Sequence, residues 1–201
     1  MIRIRLAAPA DAAAIAGIYA PAVASRATSF EVDPPDGQEM ARRVATTLER
    51  LPWLVCEEGG RVLGYAYASR HRDRAAYQWS VEVSAYVASS AHRRGVGRAL
   101  YTSLFAILGA LGYRNAYAGI TLPNAASVGL HEAVGFTPVG VYRGIGWKMG
   151  AWHDVLWMER QLHDPGTPPP PPRPLPEVVD TPEFRAALGR GVPLVRPALA
   201  E

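Results

Sequence analysis

The stretch WSVEVSAYVASSAHRRGVGRALY (79–101) decides how this chain folds, because it passes from a strand through a short loop into a helix. Apolar and polar residues alternate over 79–87, as in a strand with one buried face. The loop then carries two glycines at a G-x-G spacing. Four leucines and Ile107 recur at helical spacing over the following residues and predict a helix over 95–112.

The glycine loop at the start of this helix is suited to an anionic group. Glycine lets the backbone bring several N–H groups close to a ligand, and the helix dipole adds positive potential there. A loop of this kind also serves as a simple turn. It is not the phosphate loop of nucleoside triphosphatases, which needs Gly-Lys-Ser/Thr, nor a dinucleotide fingerprint, which needs a third glycine.

The remaining pattern predicts an α+β domain over 1–162 with a mixed sheet. Further strands are predicted at 2–6, 53–58, 62–69, 115–120, 136–143 and 153–160. Further helices are predicted at 10–19, from Asp36 to near Leu51, and at 125–134.

Composition changes after Leu162, and we treat 163–201 as a proline-rich C-terminal extension. The run DPGTPPPPPRPLP (164–176) is rich in proline, which has no backbone N–H to donate within a helix interior or a central strand. We therefore predict an extended spacer or a strap on the domain surface. Binding to an SH3-type groove is the alternative. One or two helical turns are predicted within 182–191. We expect the extension to be dispensable for any chemistry.

The overall composition argues against several classes of function. The chain has 201 residues, 49% of them hydrophobic, and a net charge of +3 with arginines scattered rather than gathered into a nucleic-acid stripe. We expect neither a transmembrane helix nor a secretory signal, because no apolar run is long enough to cross a membrane and MIRIRLAAPADAAAI (1–15) lacks the apolar segment and cleavage site of a signal. Cys56 is the one cysteine, so neither an internal disulfide nor a cysteine-rich zinc site is expected. We expect a cytoplasmic protein with no metal, membrane or nucleic-acid partner.

The motif HRRGVG (92–97) resembles the R/Q-x-x-G-x-G/A acetyl-CoA motif of the GNAT superfamily, with His92 in place of the usual Gln or Arg. Four segments, in order, are similar to the phosphinothricin acetyltransferase group: 51–69, 74–87, 122–136 and 146–160. The resemblance covers 1–162. It implies the GNAT fold, a mixed and mostly antiparallel central sheet flanked by helices, with acetyl-CoA as co-substrate and a homodimer as the assembly.

Glu82 lies mid-strand on a polar face, which by pattern alone is typical of an ordinary solvated strand face. The resemblance implies that it is the general base. Acyl transfer needs such a base, because an amine attacks a thioester only when it is unprotonated.

The resemblance also implies the cofactor contacts. The backbone of Tyr86 and Val87 would hold the acetyl carbonyl and the pantetheine arm. Asn124, with Ser127 on the same helix face, would contact the pantetheine amides, although Asn124 also suits a simple helix cap. The pyrophosphate would lie on the loop formed by His92, Arg93, Arg94, Gly95, Val96, Gly97 and Arg98.

His131 stands where many family members carry a Tyr that protonates the leaving thiolate. It is either a catalytic residue or a histidine hydrogen-bonded in the helix–sheet interface. In WHDV (152–155), Trp152 is predicted to pack, and His153 and Asp154 to orient one another.

Acceptor recognition is predicted from Phe30, Arg72, Arg74 and Tyr77, with a solvated arginine loop as the alternative. A guanidinium pairs well with the acidic group of an amino-acid analogue such as phosphinothricin or methionine sulfoximine. The resemblance therefore implies acetylation of such an α-amine. Acetylation of another small amine or of a protein N-terminus, and a non-catalytic acyl-CoA-binding module, stay open.

Overall fold

The computed structural model describes residues 1–198. The strands are β1 Ile2–Leu6, β2 Trp53–Glu58, β3 Arg61–Arg70, β4 Ser80–Val87, β5 Asn115–Thr121, β6 Thr137–Lys148 and β7 Ala151–Gln161. The helices are α1 Ala12–Ala24, α2 Gly37–Leu48, α3 Val96–Leu111, α4 Ala125–Ala133 and α5 Pro182–Gly189. The last three positions of the predicted extension, 199–201, lie outside the described residues.

The seven strands form one sheet in the order β1-β2-β3-β4-β5-β7-β6. Every neighbouring pair is antiparallel except β4 and β5, which run parallel. The crossover between those two strands is α3, as a parallel pair requires. The mixed, mostly antiparallel sheet of the predicted α+β fold is therefore confirmed.

Alternation along the strands divides the core between the two faces of the sheet. Val81 and Val83 of β4 face α3, whose Leu100 and Leu104 are fully buried. On the opposite face, α1 and α2 cover an aromatic layer that includes Tyr65. Residues of β4 that alternate with the two valines, Glu82 among them, therefore face the α1–α2 side.

Three elements extend beyond their predicted bounds. Helix α1 continues to Ala24 through Pro21, and strands β6 and β7 extend until they meet at a tight turn of Met149 and Gly150, both with positive φ. The glycine-rich sequence over 144–150 is typical of a loop. The pairing of β6 with β7 instead shifts register between Tyr142 and Gly146, and this bulge accommodates the glycines.

The extension returns along the domain as a strap. The Trp79 indole N–H donates to the Pro170 carbonyl at 2.8 Å, and the Arg173 N–H donates to the Leu111 carbonyl at 2.8 Å. Helix α5 packs on α3, and apolar side chains of the strap join the α3-side core. These buried side chains are Leu175, Val178, Phe184, Ala187 and Val195.

Within residues 1–198 there is no helix that combines the length and apolar character needed to cross a membrane.

Candidate active site

A cleft opens where β4 and β5 separate. The two strands pair only from Ser80↔Asn115 to Glu82↔Tyr117 and then diverge. Strand β3 continues to pair along β4, and the Ala88 N–H donates to the Leu63 carbonyl. Because strand donors alternate in direction, the N–H group of Val87 points away from β3 and into the cleft, where β5 supplies no acceptor.

The cleft is a cavity of about 800 Å³ between β4, the end of β5, and helices α1, α3 and α4. Ten of the predicted cofactor residues line it, and His131 does too. The ten are Tyr86, Val87, His92, Arg93, Gly95, Val96, Gly97, Arg98, Asn124 and Ser127.

The loop that enters α3 has an unusual backbone. Arg93 and Gly95 both adopt left-handed conformations, with φ of 59° and 83°. Such residues within a turn direct successive N–H groups toward one point, which makes a concave site for an anion. The first-turn N–H groups of α3 and the helix dipole add to it. These donors fit the pyrophosphate of a bound acyl-CoA.

Arg94 is the predicted cofactor residue whose side chain is engaged elsewhere. Its guanidinium donates to the Glu58 carboxylate at 2.8 Å and to the Arg196 carbonyl at 2.8 Å. It does not line the cavity.

Helix α4 presents one cap and one buried histidine to the cavity. The Asn124 Oδ1 accepts the Ser127 N–H at 3.1 Å, so the cap is formed and the side-chain NH₂ group is left for a ligand. His131 Nδ1 lies 2.7 Å from the Ser127 carbonyl oxygen, and its Nε2 lies 3.0 Å from the Tyr101 hydroxyl.

These contacts fix how the protons are arranged. A carbonyl only accepts, so His131 Nδ1 carries the proton and Nε2 accepts from the Tyr101 hydroxyl. Burial lowers the pKa of His131 and raises that of Tyr101. Both side chains are therefore neutral near pH 7. The sequence did not single out Tyr101, because its position on α3 matches the apolar helical spacing of core residues.

Glu82 lies beside the cleft, at the last residue pair that joins β4 to β5. Its Oε1 is 3.1 Å from His71 Nδ1. The carboxylate side chain is 31% exposed and the imidazole 13%. The His71 ring stacks on Tyr117, with centroids 4.5 Å apart, and the Trp157 ring meets it edge-on.

His71 is thus a site residue that sequence reasoning missed. It stands in an arginine-rich run, RHRDR (70–74), and its only available signal was its place at the end of the strand that pairs with β4. The register Ser69↔Glu82 brings it to the glutamate. The contact depends on strand pairing across 11 residues of sequence.

The predicted acceptor residues are only partly brought together. The Tyr77 ring lies 6.0 Å from the His71 ring, next to the Glu82 pair. Arg72 and Arg74 are exposed in the loop before β4. Phe30 packs against Gly146, where a Cβ would overlap its ring, so the loop between α1 and α2 closes on β6. None of these residues lines the large cavity.

Lys148 also holds the loop between α1 and α2 against β6. Its ammonium donates to the carbonyls of Val23 and Ser29, at 2.6 and 2.7 Å. The loop that carries Phe30 is therefore held by the β6–β7 hairpin.

The segment WHDV (152–155) differs from expectation. Trp152 packs edge-on against Trp147 of β6, with ring centroids 5.4 Å apart, but it lies on the surface and is 66% exposed. His153 and Asp154 do not orient one another: the His153 Nε2 contacts the Lys148 carbonyl, and the Asp154 carboxylate accepts the Gly144 N–H. Adjacent strand residues point to opposite faces, which is why the two side chains separate.

Residues 1–198 contain no cluster of three or more His, Cys, Asp or Glu side chains arranged to hold a metal ion.

Comparison with known proteins points to one family. The chain matches the acetyltransferase (GNAT) domain over residues 4–157. It is 40% identical to a phosphinothricin N-acetyltransferase of Streptomyces viridochromogenes over 177 residues, 88% of this chain and 96% of that protein. It is 36% identical to an L-methionine sulfoximine/L-methionine sulfone acetyltransferase of Salmonella typhimurium, covering 82% of this chain and 97% of that protein.

A solved structure gives the same result. A GNAT superfamily phosphinothricin acetyltransferase from Sinorhizobium meliloti, in complex with acetyl-CoA, superimposes with a TM-score of 0.79 at 38% identity. The match covers 85% of this chain and 92% of that one. The alignment with the Streptomyces protein spans 177 residues, which is more than the 162 that precede the extension.

Proposed function

Because the chain belongs to the GNAT family and is an acetyl-CoA-dependent N-acetyltransferase, we propose that it acetylates the α-amine of a small amino-acid analogue such as phosphinothricin or methionine sulfoximine. The Streptomyces viridochromogenes and Salmonella typhimurium relatives that carry those names are similar over 88% and 82% of this chain. The observation that carries the proposal in this molecule is the Glu82–His71 pair beside the opening between β4 and β5.

Glu82 is the proposed base. It takes a proton from the ammonium of the acceptor, directly or through one water, and the resulting amine can form the new C–N bond. His71 Nδ1, when it carries the imidazole proton, donates to Glu82 Oε1 and holds that carboxylate in one orientation. His71 acts on the reaction through Glu82, so we assign it as a positioning residue.

The cavity residues are the proposed acetyl-CoA site. The N–H groups of 93–98 would hold the pyrophosphate, and the cleft-facing N–H of Val87 and the free amide of Asn124 would hold the acyl and pantetheine arm. When bound there, acetyl-CoA supplies the activated acyl group. The neutral Tyr101–His131 pair lines the same cavity and is the proposed relay that passes to the departing thiolate the second proton that the amine loses when the amide forms.

The arginine loop is the proposed contact for the acidic group of the acceptor. Arg72 and Arg74 are exposed in the loop that leads to Tyr77, whose ring meets the His71 ring edge-on. A bidentate guanidinium–carboxylate contact is specific to acceptors that carry such an acid.

We also propose a homodimer that uses β6, the strand at one end of the sheet. An edge strand this long with exposed apolar side chains is a pairing surface. Those side chains are Val139, Val141, Tyr142, Ile145 and Trp147. Trp147→Arg should shift the sedimentation coefficient to that of a monomer, whereas an unchanged value would remove β6 from the interface.

We also propose a cytoplasmic location. The thiol of Cys56 is free and buried, and a reducing compartment keeps such a thiol reduced.

An acceptor panel tests the substrate. Thiol release from acetyl-CoA is measured with phosphinothricin, methionine sulfoximine, an alkylamine of matched length and a peptide with a free N-terminus. We expect the two amino-acid analogues to have the highest kcat/KM. Arg74→Ala should raise the acceptor KM about tenfold or more, the loss expected for a charge-assisted pair, and leave the acetyl-CoA KM unchanged.

Arg185→Ala, an exposed arginine on α5, is the matched control and should behave as the parent protein. Preference for the alkylamine or the peptide would replace the proposed acceptor with that class. Acetyl-CoA binding without thiol release for any amine would favour a non-catalytic acyl-CoA-binding module.

A further inference from the structure

The end of the extension is bound to the loop that enters α3, and Arg94 is the point of attachment. The Arg196 N–H donates to the Arg94 carbonyl at 2.8 Å, and the Arg94 Nε donates to the Arg196 carbonyl at 2.8 Å. The same guanidinium continues to the Glu58 carboxylate on β2. Arg94 therefore holds the strap through its backbone and its side chain at once.

The attachment point lies between the two left-handed residues of the loop. Arg93 and Gly95, with φ of 59° and 83°, flank the residue that the strap holds. A left-handed conformation is unfavourable for a residue with a side chain such as Arg93, and it persists where the surroundings impose it. At Gly95 the strap itself is one surrounding group, because a Cβ there would overlap the Leu194 carbonyl oxygen.

A second attachment lies two turns farther along α3. The Ser103 hydroxyl donates to the Leu188 carbonyl at 2.8 Å and accepts the Gly191 N–H at 3.0 Å. Gly191 sits so close to α3 that a Cβ would overlap the Ala99 carbonyl oxygen. Strap residues 188–196 are thus fixed to the first two turns of α3 and to its entrance loop.

We propose that residues 191–196 are a positioning segment of the acetyl-CoA site, acting through Arg94 on the conformation of the 93–95 loop. The inference rests on the proposed cofactor site. The loop N–H groups converge on an anion only while Arg93 and Gly95 keep their left-handed conformations, and the strap contacts hold that arrangement before the ligand arrives. Preorganisation of this kind raises affinity by reducing the ordering cost of binding.

Because coupling is reciprocal, bound acetyl-CoA must stabilise the strap by the same factor. A strap that only adds general stability would lack this response.

Two neighbouring glycines provide a matched pair of variants in the full-length protein. Gly191→Ala places a methyl group against the Ala99 carbonyl and should displace the segment, whereas Gly189→Ala meets nothing within 4 Å. Arg94→Gln removes the guanidinium contacts without adding volume. If Gly191→Ala fails to fold, the Arg94→Gln variant still tests the proposal.

Calorimetric titration with acetyl-CoA should give a Kd raised about tenfold for Gly191→Ala and Arg94→Gln, and unchanged for Gly189→Ala. At saturating acetyl-CoA, kcat of Gly191→Ala should stay within about twofold of the parent, so that the effect is confined to KM and Kd. In the parent, saturating acetyl-CoA should slow hydrogen exchange of the Arg196 amide.

The proposal is overturned if the Kd is unchanged in both variants while exchange over 192–196 is faster, or if acetyl-CoA leaves the Arg196 exchange rate unchanged. A parent protein that binds acetyl-CoA without using the 93–98 loop would reject the proposed cofactor site, and this inference with it. That outcome is recognised by chemical-shift changes that map away from the loop.

Discussion

At the residue scale, the proposed chemistry depends most on Glu82. Glu82→Gln keeps the size of the side chain but removes the base, so kcat/KM should fall about 100-fold or more, within the range for general base catalysis. The acetyl-CoA Kd should not change. Steady-state kinetics with calorimetry checks both, and the exposed Glu132→Gln on α4 is the control. A variant with most of its activity would move the base role elsewhere, with His131 the next candidate.

His71 is the second prediction at this scale. His71→Phe keeps an aromatic ring against Tyr117 but loses the hydrogen bond to Glu82 Oε1. We expect kcat to fall about tenfold, because a hydrogen bond to a charged group has this magnitude. His71→Asn retains an N–H near the Nδ1 position and should recover part of kcat. Unchanged kcat in His71→Phe together with a loss in His71→Asn would indicate that the ring's packing, rather than its hydrogen bond, matters.

His131 gives a pH-dependent prediction. Burial lowers the pKa of His131, so this imidazole stays neutral in the folded state below pH 6.5, where the unfolded chain takes up a proton. The unfolded state then binds more protons, and the free energy of unfolding must fall as pH drops below about 6.5. In His131→Gln this slope should be shallower, as urea unfolding between pH 7 and 5 will measure. The exposed His163→Gln is the control; an unaltered slope in His131→Gln would exclude this origin.

At the scale of elements, the junction of the loop with α3 determines whether an anion can bind. Gly97→Asp puts a carboxylate among the first-turn N–H groups and a Cβ 3.0 Å from Leu130 Cδ2 of α4. The acetyl-CoA Kd should rise at least tenfold, since a negative charge then occupies the site of the pyrophosphate. Gly129→Asp, in open space on α4, controls for the added charge, and equal affinity in both variants would place the cofactor elsewhere.

The geometry of the site also depends on where β5 stops pairing with β4. Strand β5 leaves β4 after three residue pairs, and this separation creates the cavity and frees the β4 backbone groups that face it. The same pairing brings Tyr117 beside Glu82 and His71. The cleft and the proposed base therefore have one structural origin.

At the scale of the whole molecule, the extension is part of the core. Phe184 and Val195 are buried in the same apolar cluster as α3. This packing indicates that residues beyond Leu162 contribute to folding stability, whereas our expectation that they are dispensable concerned only the chemistry. Phe184→Ala should lower the free energy of unfolding by about 3–5 kcal/mol, measured by urea denaturation, whereas the exposed Arg185→Ala should change it by less than about 0.5 kcal/mol. Equal small effects would show that the strap is peripheral to folding.

The sequence by itself determined the local features of this protein. The alternation over 79–87, the glycine loop and the helix after it were read from residues that are neighbours in the chain, and the element order follows from them. The Asn124 cap, which needs only a contact three residues away, was predicted in the same way. The motif order was enough to indicate the family.

Only the tertiary structure decided which distant side chains meet. His71 reaches Glu82 through strand register, Tyr101 reaches His131 through the packing of α3 on α4, and Arg94 reaches Arg196 across 102 positions of sequence. An apolar or charged residue looks the same in sequence whether it packs, pairs or faces solvent. Its partner depends on how distant segments pack against one another. That packing is the arrangement in which all the elements bury their apolar surfaces together.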